Sequence, residues 1–363
     1  MGKFDTSIAL AILFVLSAVT SYIVTMIAKH VAEALGAVDH PETRRIHLES
    51  TPRLGGLAII FGFGFPLLLL AGNRHAAALV SKNIDYLCAV LAAGALIVAL
   101  GVYDDVLGAD APRKFTIQAG AAVILVAFGF RFDFVSLAGS VINLGFLASV
   151  VSVVWIVGVI NAMNFIDGMD SLATVVAITI AAAFLVIGII RSDIFSLVIM
   201  TALTGSLLGF YPWNKPPAKI FMGDTGSMFI GLLLAAGSIV RPTKAPTALI
   251  IGGPMLALAL PVLDTLIVMK QRFSDPHESM LARVGRMFSA DKRHIHHILV
   301  EKYGSVNKAI VSIWMVTLFF ATAAVLTVVD TLKPVGYTLG GLGLALLIFL
   351  RYWFRRGAQA VET

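Results

Sequence analysis

The sequence predicts an all-α integral membrane protein, a polytopic bundle of about 11 transmembrane helices. Its 363 residues are 58% hydrophobic and only 13% charged, whereas a soluble domain is about half apolar and about a quarter charged. The mean hydropathy is +0.92. The apolar residues are also gathered in runs of roughly 17 to 25 residues, the length that a bilayer-spanning helix needs. Lipid is therefore expected to surround most of the chain.

Eleven such runs set the order of the predicted helices. The first is too long for a typical signal-peptide core and is followed by no clear small-residue cleavage site, so it is expected to remain as a true span. The runs cover residues 5–28, 54–71, 84–102, 115–131, 144–162, 171–190, 194–211, 225–240, 246–269, 309–329 and 335–352.

The basic residues predict the orientation of these spans. An N-terminus outside and a C-terminus in the cytoplasm place most of the 27 Lys and Arg residues on the cytoplasmic side, as the positive-inside rule requires. The same arrangement places every His except His75 on that side. We therefore expect a single transmembrane domain, residues 1–363, with its chemistry in the cytoplasmic loops 29–53, 103–114, 163–170, 212–224 and 270–308.

The first candidate site is a pair of adjacent carboxylates, Asp104 and Asp105, nine residues before Lys114 at the end of the third span. Adjacent carboxylates repel, so near a membrane surface they need a cation or share a proton. Either state suits general-base work or metal binding. The alternative is an ordinary solvated loop.

The second candidate is the segment NAMNFIDGMDSLA, between the fifth and sixth spans. Asn161, Asn164, Asp167 and Asp170 recur every three residues, which would gather amides and carboxylates loosely on one side of a helical end. Gly168 would let the backbone turn or approach a ligand closely. A capped turn between helices is the alternative.

The third candidate is FMGDTGS, which leads into the eighth span. Gly223 and Gly226 flank Asp224 and Thr225 at a helix N-terminus, where backbone N–H groups attract phosphate. Asp224 is also a plausible Mg²⁺ ligand, because Mg²⁺ is usually bound by one or two carboxylates together with substrate phosphates. The alternative is a simple helix cap.

The fourth candidate is ADKRHIHHILVEKYG, in the longest cytoplasmic loop. His294, His296 and His297 follow Lys292 and Arg293, and the chain offers no HExxH arrangement for zinc. Imidazoles beside cations more readily bind phosphate oxygens. The alternative is a basic amphipathic segment that rests on lipid headgroups.

Two further features stand outside these four motifs. The loop RRIHLESTPRLGG carries Arg44, Arg45, His47 and Arg53, which either bind substrate or record only the orientation. Asp264 lies within the ninth span, and a carboxylate in a membrane helix is costly enough to indicate a function.

Two other classes of protein fit the sequence less well. A transporter would place ionisable groups near the bilayer midplane and show internal repeats, but these spans carry almost no such groups and no convincing repeat. The net charge of +6 is explained by orientation and by anionic lipid. No RNA-binding or DNA-binding module is visible, so no nucleic-acid partner is expected.

Taken together, the four motifs resemble those of the polyprenyl-phosphate N-acetylhexosamine-1-phosphate transferases, the superfamily that includes phospho-N-acetylmuramoyl-pentapeptide transferase. The resemblance extends from about residue 39 to residue 304, with the motifs in the same order. The HIHH form, preceded by a basic pair, resembles the branch that uses UDP-N-acetylglucosamine and undecaprenyl phosphate. The pentapeptide branch is the alternative, with a transporter or flippase the more distant one.

The resemblance implies a bundle of ten or eleven helices, Mg²⁺ as cofactor with Mn²⁺ as its substitute, and UMP as by-product. It also implies a bacterial inner-membrane enzyme that begins the synthesis of a cell-envelope polysaccharide. The exact N-acetylhexosamine, the polymer and a homodimeric state are left open. The implied catalytic residues are Asp104, Asp105, Asp167 and His296; those implied to bind substrate are Arg53, Lys114, Asn161, Asn164, Asp170, Arg293, His294 and His297; and Asp224 is the implied metal ligand.

One position departs from the family pattern. The family block usually reads DGxDGLA, and here Ser171 replaces the second Gly. Because Ser commonly stands at a helix N-cap, we expect the local geometry to survive the replacement.

Overall fold

The computed structural model describes residues 3–35, 38–39, 51–72, 83–137, 140–239, 252–273 and 294–359. Nearly all of them are helical. The helices are α1 (Lys3–Leu35), α2 (Gly55–Gly72), α3 (Ile84–Leu107), α4 (Ala111–Ala127), α5 (Leu147–Ile166), α6 (Leu172–Arg191), α7 (Ile194–Asn214), α8 (Gly223–Ser238), α9 (Gly252–Ala257), α10 (Ala259–Phe273), α11 (Ile295–Tyr303), α12 (Val306–Leu326) and α13 (Lys333–Gln359), with a short 3₁₀ turn at Asp330–Leu332.

Within the described ranges, eight helices are long and apolar enough to cross a membrane. The chain is therefore a multi-pass membrane protein. Where the predicted runs fall on described residues, each of the eleven coincides with a helix or a pair of helices. α4 and α8 are shorter, at 17 and 16 residues, and the run 246–269 appears as α9 and α10. The count of eleven spans and the orientation of the termini stay predictions.

Several helices extend further than the apolar pattern indicates, and for two of them the extension bears on the predicted loops. α1 continues to Leu35, so part of the predicted loop 29–53 is helical, because the polar residues there are good helix formers. α3 continues to Leu107. Asp104 and Asp105 therefore lie on the last turns of a helix and not in a loop, which fixes their direction relative to the rest of α3.

Short strands supplement the helices and were not predicted. β1 (Val38–Asp39) pairs with β2 (Thr51–Pro52), and β3 (Phe134–Leu137) pairs with β4 (Ser140–Asn143) in an antiparallel hairpin. The hairpin joins α4 to α5. β-branched residues favour such extended pairing, but four-residue strands leave too short a pattern to be recognised within an apolar sequence.

Helix α8 lies at the centre of the bundle and packs against α2, α3, α5, α6 and α7. Nearly all of its residues are buried. A helix that is apolar on every side is typical of a buried position. The N-terminus of α8, where GDTGS begins, is therefore the point on which the surrounding helices converge.

Glycines allow the neighbouring backbones to reach α8. A Cβ on Gly101 of α3 would lie 2.4 Å from the Cα atom of Thr225, and one on Gly56 of α2 would lie 2.3 Å from the backbone nitrogen of Gly226. Small residues at such crossings let membrane helices pack closely. Asp105 follows Gly101 by four residues and so lies on the same face of α3, directed at the start of α8.

Ser171 precedes α6 with left-handed backbone angles, φ 58° and ψ −5°. Its side chain makes no hydrogen bond to the helix N-terminus. The helix begins where it was expected, but not because the hydroxyl caps it. The left-handed backbone explains why the family usually has Gly at this position, since Gly adopts this conformation without steric cost.

We expect Ser171→Gly to raise the thermal stability of the detergent-solubilised protein. The left-handed conformation costs a non-glycine residue about 1–2 kcal/mol, and the added flexibility of Gly in the unfolded chain costs about 0.5–1 kcal/mol, so a small net gain in the free energy of unfolding should remain. Differential scanning fluorimetry would measure it. Ser192, at φ 54° at the other end of α6, is the matched control, and Ser192→Gly should give a similar gain. A lower melting temperature for Ser171→Gly alone would show that the hydroxyl has a structural role.

Candidate active site

Asp105 holds the first turn of α8. Its Oδ1 atom accepts a hydrogen bond from the backbone N–H of Asp224 at 2.8 Å, and its Oδ2 atom accepts from the backbone N–H of Thr225 at 3.0 Å and from the Thr225 hydroxyl at 2.6 Å. A carboxylate here satisfies N–H groups that have no partner within their own helix and complements the helix dipole. Asp105 therefore fixes the direction of Asp224.

Lys114 joins the first and third motifs. Its Nζ atom donates to Oδ2 of Asp224 at 2.6 Å and also contacts Oδ2 of Asp104. The second oxygen of Asp104 accepts from the backbone N–H of Ala109 at 2.7 Å. Two carboxylates from different helices thus converge on one cation, which offsets their mutual repulsion. Lys114 reaches this position from the first turn of α4, which Asp110 caps.

The two asparagines of the second motif lie at different depths. Asn164 donates to the Ser227 hydroxyl at 2.9 Å, beside the start of α8. Asn161 lies one turn deeper and donates to Oε1 of Gln118 at 2.7 Å and to the carbonyl of Val157 at 2.8 Å. The amide of Asn161 therefore connects α5 to α4 inside the bundle, and only Asn164 borders the carboxylate cluster.

The two aspartates of the same motif also differ in their surroundings. Burial, and then the carboxylates of Asp224, Asp105 and Asp170, raise the pKa of Asp167 well above its usual range, while Arg53 opposes the rise. Asp167 therefore lies in the same electrostatic cluster as the first and third motifs. A bound cation or a proton would stabilise this concentration of negative charge.

Asp170 faces the segment that precedes α8. Its Oδ2 atom accepts from the backbone N–H of Ala218 at 2.9 Å. Asn214 supports the same segment by donating to the carbonyl of Ile220 at 3.1 Å. These bonds tie the turn between α5 and α6 to the chain that enters GDTGS. The structure thus gives Asp170 a scaffolding contact beside the site.

The histidine motif forms the start of α11, next to the second motif. A Cβ on Gly168 would lie 2.5 Å from Nε2 of His296, so the ring is packed directly against the backbone that follows Asp167. His297 is exposed and its ring lies 4.3 Å from that of His296. His294 contacts Asp264 through Nδ1 at 2.7 Å. Arg293 lies outside the described residues.

His296 is the most deeply buried imidazole of the motif. Burial, followed by the nearby His297, lowers its pKa to about 3. His296 is therefore neutral at physiological pH and cannot neutralise phosphate as a cation. Its position supports packing and hydrogen bonding beside Asp167 more than the phosphate binding that the sequence suggested.

The structure adds three residues to the candidate site. Thr225 and Ser227 accompany Asp224 on α8, and Arg351 of α13 pairs with Asp264. The two hydroxyls lie inside GDTGS, so the motif could have indicated them. Arg351 could not be recognised from the sequence, because a lone Arg near the end of a final span looks like an ordinary orientation signal.

We expect Gly223→Ala to impair both the fold around the site and any activity that depends on it. Gly223 has φ +67°, and a Cβ there would lie 2.6 Å from Oδ2 of Asp105 and from the carbonyl of Arg53. Gly304→Ala is the matched control, because Gly304 has φ +59° with open space around it. The control should cost about 1–2 kcal/mol of left-handed strain, less about 0.5–1 kcal/mol because Ala lowers the entropy of the unfolded chain, and Gly223→Ala should cost distinctly more. Equal losses of melting temperature would show that the contact with Asp105 is unimportant.

We expect His296→Gln to reduce the loss of stability on acidification. The folded-state pKa of about 3 lies below the unfolded value of about 6.5, so the unfolded chain binds the extra proton first. The associated stability is present above pH 6.5 and is lost as pH falls toward 3. Between pH 7.5 and 5.5 the wild type should lose about 1 kcal/mol more than the variant. Parallel melting curves across this interval would measure the difference; identical pH dependence would mean that folding does not lower the pKa of His296.

Comparison of the sequence with known proteins identifies the family of the chain. Residues 87–241 match the model of glycosyl transferase family 4. A protein of Bacillus subtilis (strain 168) named "Probable undecaprenyl-phosphate N-acetylglucosaminyl 1-phosphate transferase" is 32% identical, over 88% of this chain and 86% of that protein. The "Decaprenyl-phosphate N-acetylglucosaminephosphotransferase" of Mycolicibacterium smegmatis is also 32% identical, over 97% of this chain and 91% of that protein.

The pentapeptide branch gives a shorter match. The "Phospho-N-acetylmuramoyl-pentapeptide-transferase" of Streptococcus pneumoniae serotype 19F is 30% identical, over 61% of this chain and 69% of that protein. The chain is thus similar to members of both branches, and the similarity covers more of the chain in the N-acetylglucosamine branch.

Proposed function

Because the chain belongs to glycosyl transferase family 4, we propose that it transfers N-acetylglucosamine 1-phosphate from UDP-N-acetylglucosamine to undecaprenyl phosphate or a related polyprenyl phosphate, and releases UMP. This would be the first membrane step of a cell-envelope polysaccharide. The names of the two relatives that match along most of the chain support this choice over the pentapeptide branch. The observation that carries the proposal is the convergence of Asp104, Asp224 and Lys114 at the N-terminus of α8.

The reaction joins two anions, so the site must offset their repulsion. An oxygen of the lipid phosphate attacks the sugar-bearing β-phosphorus, and the bond from that phosphorus to the bridging oxygen breaks as UMP leaves. Lys114 supplies one positive charge beside Asp104 and Asp224, and the N-terminus of α8 attracts phosphate oxygens. Fixed positive groups of this kind stabilise charge in phosphoryl transfer.

The same residues suit Mg²⁺. Asp224 would be a ligand, with Asp104 as its neighbour, because both already direct an oxygen at the ammonium group of Lys114. In the described part of the chain no group of three or more His, Cys, Asp and Glu is arranged to hold a metal alone. Mg²⁺ does not require one, since it commonly takes one or two carboxylates plus substrate phosphates. When bound, the ion would neutralise charge on the diphosphate; Mn²⁺ should substitute for it.

Asp104 is better placed than Asp105 to orient or deprotonate the lipid phosphate. Both oxygens of Asp105 accept hydrogen bonds from α8, whereas Asp104 shares Lys114 with Asp224. A covalent route would need a carboxylate that can reach phosphorus, and the contacts favour Asp104 over Asp105 for that role also. Asn164, which donates to Ser227 beside the start of α8, and Asp167 would contact the nucleotide sugar.

The proposed location is a bacterial inner membrane with the site on the cytoplasmic side. The donor is a water-soluble nucleotide, and the distribution of basic residues favours a cytoplasmic position for the four motifs. The polyprenyl tail of the acceptor would remain in the bilayer. The lipid phosphate and the nucleotide sugar would then meet at the boundary between membrane and water.

We expect Asp224→Ala to lower UMP release by at least about a hundredfold, because it removes a charged group from the centre of the site. The assay supplies Mg²⁺, UDP-N-acetylglucosamine and undecaprenyl phosphate to the purified protein, and omission of the lipid phosphate or chelation of Mg²⁺ should abolish release by the wild type. Asp330→Ala is the matched control, since Asp330 is exposed and its carboxylate pairs with Lys333 at the surface. Near-normal turnover by Asp224→Ala would refute the assignment.

Assays with a panel of nucleotide-sugar donors test which branch of the family the enzyme belongs to. UDP-N-acetylglucosamine should be used in preference to UDP-N-acetylmuramoyl-pentapeptide. Preference for the pentapeptide donor would support the alternative branch, and release of no UMP from any nucleotide sugar would refute the proposed function.

A further inference from the structure

Three buried side chains from three helices meet at Asp264, behind the histidine motif. Asp264 lies on α10, His294 stands at the N-terminus of α11, and Arg351 lies on α13. They are 5%, 4% and 6% exposed, respectively. Burying charged groups is costly even when they are paired, so the cluster does not necessarily stabilise the fold. The contacts of each group indicate a different role.

Each oxygen of Asp264 has a distinct partner. Oδ1 accepts from the backbone N–H of Ile295 at 2.9 Å and from the guanidinium of Arg351. Oδ2 lies 2.7 Å from Nδ1 of His294. An ionised carboxylate only accepts hydrogen bonds, so the ring nitrogen that faces it, Nδ1, carries a proton.

In the neutral imidazole with its proton on Nδ1, the other ring nitrogen, Nε2, is an acceptor. Nε2 is buried and has no hydrogen-bond partner within the residues that the structure describes. The ring is stacked at 5.8 Å from that of His296, which packs on Gly168, and lies 5.6 Å from the ring of Phe165, the residue after Asn164. A buried acceptor without a partner, beside the second motif, is suited to a ligand that brings its own donor.

We propose that Asp264 and Arg351 are positioning residues that fix His294 with Nε2 as a hydrogen-bond acceptor for a hydroxyl or amide N–H of the nucleotide sugar. The inference rests on the proposed function, because it takes the ligand to be a nucleotide sugar. It assigns to the last membrane helix, through Arg351, a part in donor recognition. The sequence suggested that this histidine binds phosphate. The proposal instead assigns it the recognition of an uncharged hydroxyl or amide group of the nucleotide sugar.

Asp264→Asn tests the assignment because it preserves shape and reverses polarity. The amide oxygen would face Ile295 and Arg351, so the amide NH₂ group would face Nδ1 and the imidazole proton would move to Nε2. We expect the KM for UDP-N-acetylglucosamine to rise about tenfold, the scale of one neutral hydrogen bond, with kcat and the KM for lipid phosphate little changed. The thermal shift caused by UDP-N-acetylglucosamine should shrink in parallel. A folded variant with wild-type KM would overturn the proposal.

Further variants separate positioning from a purely structural role. Arg351→Lys keeps the charge and should retain a near-normal KM, whereas Arg351→Gln should raise it. His294→Asn keeps a donor near Oδ2 of Asp264 but removes Nε2, so it should raise the KM even if Asp264→Asn fails to fold; a wild-type KM for His294→Asn would overturn the proposal. Asp330→Asn, at an exposed acid, should leave both constants unchanged.

The two proposals fail in different ways. A wild type that releases no UMP from UDP-N-acetylglucosamine would refute the proposed function. An active wild type whose Asp264→Asn and Arg351→Gln variants keep its KM and its nucleotide-induced thermal shift would refute the positioning role and leave the function standing.

Discussion

The carboxylate of Asp105 at the N-terminus of α8 is the interaction on which the rest of the site depends. Three hydrogen bonds from Asp224 and Thr225 end on its two oxygens, and they fix the turn from which Asp224 meets Lys114 and Asp104. The packing below supports this contact, because Gly101 and Gly56 bring α3 and α2 against the backbone of α8. The site is thus built on the most buried helix of the bundle and not on its loops.

The sequence predicted the helical bundle and its four motifs because apolar runs and clustered polar residues are local signals. Comparison with known proteins confirms the family. The ends of the helices were harder to predict from the sequence, since polar residues such as Asp104 and Asp105 can continue a helix beyond its apolar part. The strands of the hairpin between α4 and α5 were missed because four residues are too few to show a period.

The motifs also did not determine which role each of several neighbouring residues has. Asp104 and Asp105 are adjacent in sequence, yet one faces Lys114 and the other anchors α8. Asn161 and Asn164 belong to one repeat, yet only Asn164 reaches Ser227. Ser171 was expected to keep the local geometry as a helix N-cap; it stands before α6 with a left-handed backbone and without a capping hydrogen bond from its side chain. Such differences arise from tertiary contacts, which spacing along the chain does not encode.

The shortness of α8 has a consequence for how a long isoprenoid chain is handled. Sixteen residues make a helix of about 24 Å, which is about 6 Å less than the hydrocarbon thickness of a typical bilayer. A single helix of this length does not reach from one headgroup region to the other. In the proposed reaction, a site at an end of α8 that lies below the headgroups would let a polyprenyl phosphate present its terminal phosphate without withdrawing apolar tail into water, and the water-soluble donor would reach in to meet it.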